Sequence, residues 1–359
     1  ADSSPWYVRI GYIAVIVAIA ATGVFWAALT PPAQSVDEPV HVNSVIRLMQ
    51  GGGWPAPQSA PVLEATAVAT IEAGRPWMDR TWDDQLELDT LPAAEDRSVV
   101  GGMDQPITRD GKPMIDWMTQ HPPTWYAIAA VAMNVAGADE WRWDQLYFGI
   151  RMVSITFVTA AAGFVLAGIR RLTGSPAAAM IGTLAIFTSA QFFNVLSMAT
   201  NDSLAVFAGA GLLFFLIRAL TSRDGIWRSR WLDTLGAAGF LGLGLLTKGT
   251  LLTAIPVVFL ALLIAGIRGG GGWIRRLLPA AVSMAVAFAI GGWYYFRNIL
   301  EYGEIQSSNS GTGRAAEAFD DYSLPYYLST AATRVASSFW ESTRPYLMLP
   351  GWLLAALLI

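Results

Sequence analysis

Apolar stretches long enough to cross a bilayer recur along this chain, and that recurrence limits its fold more than any other feature. The first runs from Tyr7 to Leu29 and is broken only by Arg9. Others follow at 148–169, 176–199, 204–220, 232–247, 251–267 and 278–296, and a last one starts near Tyr346 and reaches the end at Ile359. About twenty apolar residues cross the hydrocarbon core as a helix, and only helices and closed barrels satisfy their backbone groups there. The expected fold is an all-α polytopic membrane protein of about eight spans. Composition agrees: 14% of the residues are charged, where a soluble domain carries about a quarter, and 54% are hydrophobic. The lack of cysteine excludes disulfides, thiolate metal sites and cysteine nucleophiles.

Residues 1–30 are expected to form the first span, which is too long for a signal-peptide core and so remains uncleaved. Residues 31–147 form a large polar loop with an insert at about 62–113 that mixes proline, glycine and acids. Residues 148–359 form a bundle of about seven further spans. The chain opens on Ala1 and stops inside an apolar run, so trimming at both ends is expected. With a cytoplasmic N-terminus, that side receives Arg9, Arg170, Arg171, Arg218, Arg223, Arg228, Arg230, Arg268, Arg275 and Arg276. The loop at 31–147 lies outside and carries seventeen acidic against seven basic residues. This is a positive-inside pattern that no single loop decides. Two helices, over 37–49 and 122–136, are expected to skim the membrane surface, the second anchored by Trp125, Tyr126 and Met133.

The polar residues at the span ends follow from this topology. Asp37, Glu38, His41, His121, Arg151, Asn201, Asp202, Lys248 and Arg297 come from six places in the sequence, yet alternation returns each to the outer face. Ionisable residues at membrane depth are costly and mark function. Each also has a bland explanation. In "VDEPVH" an acid caps a helix that Pro39 begins, with Glu38 and His41 on one face. His121, before a double proline, starts a helix, and Asp202 is a natural N-cap. Lys248 is the only charge between Asp233 and Arg268; it either snorkels to the interface or binds a lipid phosphate. Arg297 sits under an aromatic belt. Arg151, one turn into its span, needs a partner, with Asp144 or an acid of the first loop available.

The order "PPAQSVDEPVH", "HPPTWYAIAA", "IRMVSITFVTAAAGFVLAGIRRLTGS", "SMATNDSLA", "LGLLTKGTLL" and "GGWYYFRNILEYG" resembles bacterial GT-C glycosyltransferases, among them protein mannosyltransferases and lipid A aminoarabinose transferases. The "PPxQxxDEPxH" opening is closest to a poorly characterised bacterial branch of that superfamily. The resemblance covers nearly the whole chain outside 62–113. It implies a GT-C-like helix bundle in a bacterial inner membrane and a sugar delivered on a polyprenyl phosphate at the extracytoplasmic face. It places the catalytic acid at Asp37, with Glu38 beside it, His121 at the rim of the site, and Lys248 and Arg297 at the lipid phosphate. His41, Arg151, Asn201 and Asp202 complete the substrate-binding set.

The implied reaction is transfer of the sugar to an acceptor hydroxyl on a glycan, lipid or protein. A carboxylate base would take the proton, and one base without a second nucleophile implies inversion. A divalent cation is an open cofactor, with Asp37 and Glu38 as candidate ligands. The partners are the bilayer, the lipid-linked sugar and the acceptor, and no nucleic acid is expected. Three other functions compete: a ligase or polymerase of lipid-diphosphate glycans, a flippase or transporter, and a non-catalytic subunit of an envelope complex. Transporters tend toward internal repeats and helices broken at the midplane, and neither is evident here.

Overall fold

A computed structural model describes residues 5–33, 35, 37–74, 91–109, 111–187, 192–193, 196–222, 227–306 and 325. In chain order the helices are α1 (Trp6–Leu29), α2 (Glu38–Met49), α3 (Glu64–Glu72), α4 (Thr124–Val135), α5 (Trp143–Thr173), α6 (Pro176–Phe187), α7 (Asp202–Thr221), α8 (Trp227–Leu245), α9 (Ala254–Arg268), α10 (Trp273–Ala287) and α11 (Trp293–Tyr302). A 3-10 turn, Gly249–Thr253, leads into α9, and a π turn, Phe288–Gly292, joins α10 to α11. A two-residue hairpin pairs β1 (Thr108–Arg109) with β2 (Lys112–Pro113).

Among the described residues, five helical segments are long and apolar enough to cross a membrane: Trp6–Leu29, Trp143–Thr173, Asp202–Thr221, Gly249–Arg268 and Trp273–Tyr302. Two shorter apolar helices, α6 and α8, stand among them. The expected run at 176–199 extends past α6 into residues that are partly outside the described set, and the last expected span, from Tyr346, lies wholly outside it. α5 begins at Trp143, five residues before the apolar run. Asp144 is neutralised there by Arg97 and Arg142, and the Arg142 backbone N–H donates to Gln145 Oε1 (3.1 Å), so the helix extends into the polar layer.

The bundle packs through α1 on α5, α5 on α6 and α7, α7 on α8, α8 on α10 and α10 on α9. Its contacts use small residues against rings, as helices do where lipid supplies no hydrophobic drive. The Phe240 ring lies against Gly211 and the Phe215 ring against Gly236. A Cβ on Gly291 would sit 2.3 Å from the Gly242 carbonyl oxygen, so glycine alone permits α8 and the π turn to approach this closely.

The two ends of the bundle differ. At one, Arg171 donates to the Thr221 hydroxyl (2.8 Å), Arg218 pairs with the buried Asp233 (2.8 Å), and Arg268 reaches the Leu220 carbonyl (3.4 Å). The other carries the loop between α1 and α5, and α2 is its centre. Every residue from Glu38 to Arg47 is buried. Asn43 holds four partners: its amide donates to Asp116 (2.7 Å) and the Pro61 carbonyl (3.3 Å), and its oxygen accepts from Leu63 N (2.8 Å) and the Thr66 hydroxyl (2.9 Å). Ser44 also donates to Asp116 (2.8 Å), and Arg47 reaches the Pro61 carbonyl. The described part of the insert at 62–113 is thus pinned to α2 through a buried polar network.

The expectation that Trp125, Tyr126 and Met133 are interfacial anchors is corrected here. Both helices exist, but α2 is enclosed, and Trp125, Tyr126 and Met133 are core residues at 0%, 0% and 5% exposure. They pack with Val42, Val45, Leu146 and Ile150. The outward face of α4 instead shows Ile128, Val131 and Val135.

Candidate functional site

The loop end collects the nine polar residues into two groups with different chemistry. The first is a buried ion pair. Arg151 spends its donors on Glu38 Oε1 (Nε, 2.8 Å), Glu38 Oε2 (Nη2, 2.8 Å), and the carbonyls of Ala27 (2.7 Å), Thr30 (2.6 Å) and Pro31 (3.2 Å). Glu38 accepts two more bonds, from Ala33 N (3.0 Å) and Ala199 N (3.1 Å). The side chains are 2% and 0% exposed. The pair ties the end of α1, the start of α2, the body of α5 and the segment before α7. Arg151 therefore finds its partner in the first loop, while Asp144 serves Arg97 and Arg142. These four hydrogen bonds occupy the lone-pair positions of the Glu38 carboxylate.

Asp37 faces the other way. It precedes α2 with φ 58°, ψ 6°, a left-handed conformation that aspartate tolerates better than most residues, and it is exposed. It holds the expected N-cap position, without a capping bond from its side chain; its carbonyl accepts from His41 N at 3.0 Å. This backbone twist separates two neighbouring acids, leaving Glu38 in the core and Asp37 exposed.

His41, His121, Asp202 and Lys248 form the second group. Lys248 ends the segment after α8 and pairs with Asp202, the first residue of α7. Asn201, at the N-cap position where Asp202 was expected, ties the same two elements by donating to the Thr247 carbonyl (3.3 Å). His41 Nδ1 meets the Tyr126 hydroxyl at 2.9 Å, and the rings stack at 5.7 Å. Trp54 lies against Tyr126 (4.9 Å) and Trp125 edge-on to His41 (6.1 Å). The Tyr294 hydroxyl donates to the His121 carbonyl at 3.2 Å, and the Arg297 guanidinium sits 4.9 Å over the Tyr294 ring. Arg297 thus joins the site through Tyr294, and also pairs with Glu301 (3.4 Å). His121 Nδ1 and Asn201 Oδ1 are buried without a partner among the described residues.

Electrostatics couple this group. Burial, then His121 and Lys248, hold His41 well below the usual imidazole range. Burial, then Lys248, pull His121 down to about 4, with Asp202 opposing. Burial, then the charges of Asp116, Asp202 and Asp37, push the Tyr126 phenol up, so the hydroxyl beside His41 keeps its proton. Both imidazoles are neutral at pH 7, and unfolding would release them to bind protons. Stability is therefore full above about 6.5 and is lost as pH falls toward about 4, by on the order of 3 kcal/mol for His121. Thermal unfolding in detergent should show the midpoint dropping between pH 7 and 5, and His121→Asn should flatten the dependence. An unchanged midpoint in the parent protein would count against this assignment.

Sequence reading missed Tyr126 as a site residue, and Tyr294, Trp54, Asn43 and Asp116 altogether. The one available signal for Asn43 is its place among Val40, Val42, Val45 and Ile46 of α2.

Fold and site define a class, the multi-span helical membrane proteins, with a polar, aromatic-walled site at one end of the bundle. Within it the chain belongs to the family described as "Predicted membrane protein (DUF2142)", whose profile matches residues 21–318. No curated protein matches the sequence. Among solved structures the chain is similar to the apo form of the oligosaccharyltransferase of Archaeoglobus fulgidus, with 11% identity, a TM-score of 0.48, and coverage of 97% of this chain and 41% of that one. The chain thus spans less than half the length of that protein.

Proposed function

We propose that this protein is a GT-C-type glycosyltransferase of the bacterial inner membrane, acting at its extracytoplasmic face on a sugar carried by a polyprenyl phosphate. The orientation is supported by the arginine-rich end, which the positive-inside rule puts in the cytoplasm. The observation that carries the reading is Lys248, paired with Asp202, beside two neutral histidines, with the half-buried Trp54 ring packed on the buried Tyr126 that holds His41. Aromatic faces suit the apolar face of a sugar ring. A cation at the membrane rim suits a lipid phosphate.

In the proposed reaction the acceptor hydroxyl gives its proton to the Asp37 carboxylate. Its oxygen bonds the anomeric carbon as the bond from that carbon to the phosphate oxygen breaks. The electron pair leaves on the phosphate, where Lys248 and Arg297 stabilise it, and the anomeric centre inverts. His41, fixed by Tyr126, would turn Nε2–H toward the substrate. Glu38 and Arg151 hold the first loop in place for this. A divalent cation taking part in this reaction would bind through Asp37.

Lys248→Gln tests the reading. Transfer of labelled sugar from polyprenyl-phosphate donors, assayed in proteoliposomes, should fall about 10²–10³-fold, as when one oxyanion contact is removed. Turnover within tenfold of the parent protein overturns the assignment of the phosphate to Lys248.

A further inference from the structure

The pairing of Lys248 with Asp202 places a carboxylate where the proposed donor needs an anion to be. Asp202 opens α7 and Lys248 ends the segment after α8, 46 positions apart, and the Lys248 and Asp202 side chains keep 26% and 32% exposure. The pair is not what holds those helices together. One residue earlier on each strand, the buried Asn201 amide bonds the Thr247 carbonyl, and deeper in the bundle the Phe240 and Phe215 rings fill Gly211 and Gly236. An ion pair this open, beside a clamp this closed, adds little to stability and exchanges partners readily. Around it stand His121, with its buried unpartnered Nδ1, and Asn201, with its buried unpartnered Oδ1. Polar groups that a fold leaves unpaired at such depth are commonly completed by a ligand.

We propose that Asp202 is a resident competitor: its carboxylate occupies Lys248 in the empty site and is displaced when the phosphate of a lipid-linked sugar arrives. This rests on the reading that Lys248 receives the donor phosphate. It adds a specificity device to that reading. Every phospholipid in the surrounding leaflet also presents a phosphate, at far higher concentration than a biosynthetic intermediate. With Asp202 in place, a phosphate alone must first break an ion pair. A ligand that also sets its sugar against the half-buried Trp54 ring gains the contacts that outweigh the displacement. Discrimination then comes from a repulsive element set against the abundant competitor, not from tighter contacts to the right one.

The consequence runs against intuition: neutralising an acid within the site should tighten anion binding and weaken selectivity. The test uses the full chain in detergent, titrated with farnesyl phosphate and followed by tryptophan fluorescence, with farnesol as the uncharged control and dioleoyl phosphatidylglycerol as the bulk-lipid probe. Asp202→Asn is expected to bind farnesyl phosphate about tenfold tighter than the parent and to gain affinity for phosphatidylglycerol. Lys248→Gln is expected to lose at least tenfold, and farnesol affinity should not change in either. Asp202→Ser should repeat the asparagine result with a shorter side chain. If the parent and both Asp202 variants bind farnesyl phosphate no better than farnesol, the phosphate reading of Lys248 fails, and the competitor role with it. If the parent binds and Lys248→Gln weakens it, but neither Asp202 variant binds tighter, the competitor role alone is overturned. Loss of folding in both Asp202 variants overturns it too, because the pair would then be a structural clasp.

Discussion

Arg151→Gln is expected to destabilise the protein by about 3–5 kcal/mol, the usual consequence of removing one member of a buried ion pair. The substitution leaves Glu38 charged at 0% exposure and removes the donor to the carbonyls of Ala27, Thr30 and Pro31. Glu38→Gln should cost a similar amount, since it leaves the guanidinium in the core without a counter-charge. The double variant Arg151→Met with Glu38→Leu removes both charges and should recover a large part of the loss, because a well-packed apolar pair escapes the desolvation of both ions. Unfolding in detergent, followed by near-ultraviolet circular dichroism, reads all three. Single variants within about 1 kcal/mol of the parent would show that the pair behaves as a surface salt bridge, against its geometry.

Asp37→Asn is expected to lower the rate of sugar transfer by about 10²–10⁴-fold while leaving the fold intact, the range that general-base assistance supplies. Asparagine is a suitable probe because it accepts the left-handed backbone at φ 58° nearly as well as aspartate does. Asp37→Gly is a second probe. It relieves the backbone and should be at least as stable as the parent, yet it should be equally inactive. A loss of kcat with little change in KM would place the carboxylate in the chemical step, where a binding role would move KM. Turnover within tenfold of the parent in both variants removes Asp37 as the base.

Legibility in the sequence followed the range of the forces involved. Span order and the gathering of Lys248, Asp202, His121 and Arg297 at one end follow from alternation alone, which needs only the apolar runs. The division of labour between Asp37 and Glu38 does not. It depends on one backbone angle that turns neighbouring residues to opposite sides, and no periodicity encodes that angle. Trp125, Tyr126 and Met133 have the composition of interfacial anchors and of core alike; what separates the two is the covering by α2, a tertiary event. The Asn43 contact with Asp116 joins residues 73 apart. Neither partner carries a local signal of the other, so the pinning of the insert was invisible until the chain was folded.

The depth of Arg151 also bears on how the chain is built. An arginine well inside a spanning helix costs several kcal/mol to place in lipid on its own. When α5 leaves the ribosome, Glu38 and the carbonyls at the end of α1 have already been synthesised, so the guanidinium can be received by a waiting cradle as its helix moves sideways into the membrane. Ala199, the remaining donor to Glu38, arrives only with the following hairpin. Biogenesis therefore has a natural sequence, with the N-terminal third acting as the template onto which later helices are laid.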